Sequence, residues 1–86
     1  KARIENTAVT YVYLLGTMLR DGKLSKIFPL DDCPNMTFTD FQETLELAIL
    51  RFRDVGWRCV ARQGKHPNTI ECTFYEPKPA ASAEDQ

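Results

Sequence analysis

Apolar residues recur at intervals of three and four at Ile4, Ala8, Tyr11, Val12, Leu15, Met18 and Leu19. That is the period of one helix face, and it predicts a first helix ending where Arg20 supplies a basic last turn and Gly22 a C-terminal glycine. The β-branched and aromatic run from Thr7 to Tyr13, followed by Asp21-Gly22, is the raw material of a competing hairpin. A strand that spanned the whole periodic stretch would be unusually long, so the helix is preferred.

A second stripe, Phe41, Leu45, Ala48, Ile49, Phe52 and Val55, predicts a helix over Asp40 to Val55 that Gly56 ends. Thr39 with Gln42 three residues on reads as a capping box. Asp40, Glu43 and Glu46 then fall in the first turns and Arg51 and Arg53 in the last, the charge order that the helix dipole favours. Between the helices, Leu24, Ile27, Phe28 and Leu30 run up to Pro29, which suits either a short edge strand or an apolar loop. The segment Asp31-Asp32-Cys33-Pro34-Asn35 is turn chemistry.

Downstream of Gly56 the pattern changes to alternation, which predicts a β-hairpin. With Gln63 to Asn68 as the loop, Trp57 faces Phe74, Cys59 faces Cys72 and Ala61 faces Ile70, so one face is apolar or thiol throughout. The other face pairs Arg58 with Thr73, Val60 with Glu71 and Arg62 with Thr69. A slip of one residue would set polar groups against apolar ones. The expected fold is α+β: two helices packed on a C-terminal antiparallel hairpin, with a place for one additional short strand between the helices. Residues 1–76 form a single compact domain, and residues 77–86, small and polar with Pro79 among them, read as a disordered C-terminal tail.

Composition agrees with one small core: the chain has 86 residues, 43% of them hydrophobic and 27% charged, a globular mixture too short for two domains. The net charge of -1 rules out a global field for nucleic acid or an anionic membrane. Locally the charge is uneven, because Arg51, Arg53, Arg58, Arg62 and Lys65 lie within sixteen residues that hold a single acid, Asp54. The longest apolar run, Tyr11 to Leu15, is too short to cross a bilayer. Three cysteines without CxxC spacing suit buried, reduced thiols and an intracellular, cytoplasmic protein. Asn35-Met36-Thr37 forms an N-glycosylation sequon, a tripeptide frequent by chance.

Little in the chain points to catalysis. The single histidine, His66, sits in the hairpin loop, while Cys59 and Cys72 point to the core, so a Cys-His pair is not expected. Cys33 is the thiol expected to be accessible. The Cys59–Cys72 pair reads as reduced core packing, with a strained cross-strand disulfide as the alternative. Scattered glycines and a lone histidine supply neither a phosphate loop nor a metal-ligand set, so no catalytic residue, metal or cofactor is expected. The second helix, with Leu45, Leu47, Ile49 and Leu50, is too apolar to lie in a DNA major groove as a recognition helix.

Two surfaces remain. The outer hairpin face and its loop carry Arg58, Arg62, Lys65, His66 and Tyr75, cations and an aromatic that suit a protein surface or, alternatively, a phosphate backbone with a stacked base. On the first helix, Tyr11, Tyr13 and their neighbours put apolar groups around the whole circumference, more than a hairpin and one helix hide, which points to a protein partner or a second copy of the chain. The expectation is a non-enzymatic protein-binding module, with nucleic-acid binding through the basic strip as the alternative and self-association as a further possibility.

Overall fold

The computed structural model describes residues 2–75, so the expected tail at 77–86 lies outside the described residues. The elements in chain order are α1 (Ala2–Arg20), β1 (Ser25–Pro29), a single 3-10 turn (Leu30–Asp32), α2 (Phe38–Arg53), β2 (Arg58–Gln63) and β3 (Thr69–Tyr75). The three strands form one antiparallel sheet in the order β1-β3-β2, so β3 is central and the segment between the helices is an edge strand. The fold is α+β, with both helices on one side of the sheet.

Both helices end in the same device. Gly22 and Gly56 adopt φ of 83° and 101°, a backbone conformation that favours glycine. Their N–H groups donate to Leu19 and Arg53 carbonyls, while Lys23 and Trp57 donate to Met18 and Phe52 carbonyls. This paired pattern satisfies the last free carbonyls of each helix. The start of α2 differs from the capping box expected at Thr39. Thr37, in extended conformation, is the cap, and its hydroxyl accepts from the Asp40 N–H at 3.1 Å. Thr37 is also followed three residues later by an acid, so the sequence contained two overlapping cap signals, and the earlier one is used. Val55, expected in the core stripe, lies past the helix end and is 72% exposed.

The core is one cluster. Leu15, Phe41, Leu45, Ala48, Cys72 and Phe74 are fully or almost fully removed from solvent. Tyr11 joins three elements: its ring meets Phe28 of β1 at 5.2 Å and Phe41 of α2 at 6.0 Å, both edge to face. Its hydroxyl reaches the Cys33 sulfur at 3.5 Å, and only 3% of the residue is exposed. Tyr11 was expected at a binding surface, but it is a core residue. Cys33, expected to be the accessible thiol, is also buried, as are Cys59 and Cys72, and all three are free.

The hairpin register differs from the expected one by two residues. Cys59 pairs with Phe74, Ala61 with Cys72, Arg62 with Glu71 and Arg58 with Tyr75. Every residue keeps its expected face, because a shift of two preserves the alternation. Hydrophobic pattern therefore could not choose between the registers, and the loop does. Gly64 donates to the Thr69 carbonyl at 2.8 Å, and Asn68 takes a left-handed φ of 59°. The loop is thereby closed at Lys65–Asn68 instead of Gln63–Asn68. Trp57 still meets Phe74 edge to face at 5.9 Å, from the turn before β2 and not from a paired strand position.

Gly64 has no spare space. A Cβ there would collide with Thr69 Oγ1 and lie 3.1 Å from Thr69 Cβ, and that hydroxyl already donates to the His66 carbonyl at 2.6 Å. Gly64→Ala is expected to cost about 1–3 kcal/mol, the usual range for overpacking. The cost should shrink when Thr69→Ala removes the hydroxyl first. Urea titrations of the two single variants and the double variant measure this coupling, and additive costs would show that the crowding at Thr69 is not the cause.

Candidate functional site

The two helices cover one face of the sheet, and among the described residues no element covers the other face. Its side chains form rows across the strands that follow directly from the pairing. Arg58 lies beside Tyr75. Val60, Thr73 and Ser25 form the next row, and Arg62, Glu71 and Ile27 the one after. Ile27 is 50% exposed and Tyr75 39%, so the face carries real apolar surface.

Polar contacts fix part of this face. The Ser25 hydroxyl donates to Glu71 Oε2 at 2.9 Å and lies 3.3 Å from Thr73 Oγ1, which ties the edge strand to the central strand through side chains as well as backbone. The Arg58 guanidinium lies over the Tyr75 ring at 5.5 Å, a cation–π pair that holds the arginine flat against the sheet. Arg62 stands four residues further along β2, about 13 Å away at about 3.3 Å per residue. Lys65 and His66 are exposed in the loop beyond it.

Of the residues singled out from sequence, the fold groups Arg58, Arg62 and Tyr75 on the outer face, with Lys65 and His66 at its loop end. It separates Tyr13, which is 69% exposed on α1 on the far side of the domain. Tyr11 is withdrawn into the core. Arg53 is also committed: its Nε and Nη2 donate to the Cys59 carbonyl at 3.2 and 2.6 Å, so it fastens α2 to the edge of β2. Sequence reasoning missed Ser25, Ile27 and the mixed rows they complete. The signal was there in the alternation of Ser25, Ile27 and Pro29 with Lys26 and Phe28, but it was legible only once that segment was a strand.

The groups that titrate abnormally lie on the buried side. Burial pushes the Cys72 thiol from 9.0 up to about 12, with Cys59 and Glu71 adding to it. Cys59 rises to about 11 because burial outweighs the nearby Arg53 charge. Tyr11 is raised by burial and by its contact with Cys33. All three therefore hold their protons more tightly than usual, and all three side chains lie in the core, away from the outer face. Among the described residues no three potential metal ligands cluster, and no helix is long and apolar enough to cross a membrane. No protein-family model, curated protein or solved structure matches the chain.

Proposed function

We propose that the chain is a non-enzymatic protein-binding module whose contact surface is the outer face of the sheet, centred on the β2–β3 hairpin. The observation that carries this reading is the outer sheet face, left uncovered by the described residues, which combines exposed Ile27 and Tyr75 with arginines and hydroxyls. Aromatic and arginine side chains together are the composition that protein contact surfaces favour. The carboxylate of Glu71 stands in the middle of the central strand, where a stacked nucleic acid would bring its phosphates.

A second reading rests on the Arg58–Tyr75 pair, with Arg62 and Lys65 spaced along the hairpin toward its loop. An arginine and an aromatic side by side on a sheet can stack a base of a single strand. Three phosphate contacts would give a log affinity against log salt slope of about -2.

The test is affinity capture from native extract, with and without nuclease, using the wild-type chain and the Arg58→Glu/Arg62→Glu variant. The protein-binding reading expects a protein captured regardless of nuclease and lost with the variant. Capture by both forms would overturn the assignment to this face. Oligonucleotide binding with a salt slope near -2, removed by the same variant, would favour the second reading.

A further inference from the structure

The two edges of the sheet are not equivalent. On the β1 side, Phe74 donates to the Leu24 carbonyl and Leu30 to the Asn68 carbonyl, so the even-numbered residues of β1 face the central strand. Ser25, Ile27 and Pro29 turn their backbone outward. This edge is poorly suited to pairing, because Pro29 has no N–H and Lys26 brings a charge to the helix side of the strand. On the β2 side, the Gly64 to Thr69 bond sets the phase: Arg58, Val60 and Arg62 face β3, while Cys59, Ala61 and Gln63 turn their N–H and C=O outward. Arg53 occupies the Cys59 carbonyl, and the peptide groups of Ala61 and Gln63 remain directed away from the sheet.

Beside this edge lies a cavity of about 280 Å³ between α2 and β2, lined by Glu46, Ile49, Leu50, Arg53, Val60 and Ala61. It lies where an inward side chain of an added strand would point. On the opposite side of the same strand, Arg58 and Arg62 flank Val60. We infer that the outer edge of β2, which no other described strand pairs with, receives an extended acidic segment of a partner protein by strand addition. This rests on the protein-binding reading above and names the kind of segment bound.

Strand geometry turns these observations into a pattern. An added strand has the same rise as β2, so its first and fifth residues lie beside Arg58 and Arg62 and its third beside Val60. Acids at the first and fifth positions complement the two arginines, more strongly at Arg58 because Glu71 stands opposite Arg62, and an aliphatic residue at the third covers Val60. The second and fourth point to the helix side, where an aliphatic side chain enters the cavity next to Ile49 and Ala61. Backbone bonds to Ala61 and Gln63 supply attachment, and the side-chain pattern supplies selectivity.

The test titrates the full chain, labelled for NMR, with a synthetic peptide whose core is Glu-Leu-Val-Leu-Glu, and with a charge-reversed peptide that has lysine for both acids. Saturable binding is expected, with shifted and exchange-protected amides at Ala61 and Gln63 and affinity at least about ten-fold weaker for the lysine peptide. Ala61→Pro removes an N–H that no described strand uses and is expected to abolish binding. Ile27→Pro, at the corresponding outward position of β1, should leave it unchanged. Protection of Ala61 and Gln63 in the wild-type chain is read independently of whether the proline variant folds. Undiminished binding by a folded Ala61→Pro variant, or shifts centred on Thr73 and Tyr75 without protection at Ala61, would overturn the edge inference while leaving the outer-face reading intact. Failure of the peptide to bind would also overturn it, whereas the capture experiment decides the outer-face reading separately. Concentration-dependent protection of the same amides without peptide would assign the edge to a second copy and overturn the acidic-segment inference.

Discussion

Phe74→Ala is expected to destabilise the domain by about 3–5 kcal/mol, the range for deleting a large aromatic from a packed core. Phe74 is 1% exposed and sits on the central strand, where Phe52 meets it at 5.0 Å and Trp57 at 5.9 Å, both edge to face. The ring therefore links β3 to the last turns of α2 and to the turn that follows. The backbones of both neighbours are fixed, Phe52 within α2 and Trp57 by the bonds that end the helix, which limits how far the site can close. A domain of this size has a total stability on the order of 5 kcal/mol, so the variant should be largely unfolded near body temperature. Trp57 is the only tryptophan, which makes its fluorescence in a urea titration a direct readout. Tyr75→Ala, one residue further but on the outer face, should cost less than about 1 kcal/mol. A Phe74→Ala cost below about 1 kcal/mol would mean that the sheet and α2 are not joined there.

The contrast between these neighbours shows what the sequence carried and what it did not. Period-two alternation after Gly56 assigned Phe74 to the inner face and Tyr75 to the outer one, and period 3.6 placed Leu15 and Leu45 in the core. Those assignments depend only on local geometry, which the pattern encodes directly. The register did not follow, because pairings two residues apart bury the same side chains. It was decided by Gly64 and by the left-handed backbone of Asn68, a conformation that residue type permits without dictating. Tyr11 failed for another reason. The period-3.6 stripe already held Tyr11 beside Leu15, but the surplus of apolar groups around the helix pointed to a binding surface, and the third strand, which brings Phe28 to the Tyr11 ring, shows that Tyr11 is covered. The candidate site was half legible: Arg58, Arg62 and Tyr75 came from the hairpin alone, whereas Ser25 and Ile27 needed the pairing of β1 with β3.

Alkaline pH is expected to unfold the chain through its buried thiols before backbone chemistry intervenes. In the folded protein Cys72 has no solvent to stabilise a thiolate, so it holds its proton up to about pH 12, while the unfolded chain releases it near 9.0. Between these values the unfolded state binds fewer protons than the folded one, so each increase in pH favours unfolding. The stabilisation is fully present below pH 9 and is lost as pH rises toward 12. At about 1.4 kcal/mol per pH unit, Cys72 alone accounts for on the order of 4 kcal/mol over that window, comparable to the stability of a domain this small. Cys59, raised to about 11, and Tyr11, raised by the same burial, act in the same direction. Cys72→Ala removes one of these protons and leaves a small cavity, so its stability at pH 7 should be lower but its decline above pH 9 shallower. That opposite pair of changes separates titration from packing, since a cavity alone would lower the whole curve without altering its slope. Urea midpoints measured from pH 7 to 11 give both quantities. Parallel curves for the two proteins would show that the thiol is not the group whose ionisation limits the fold.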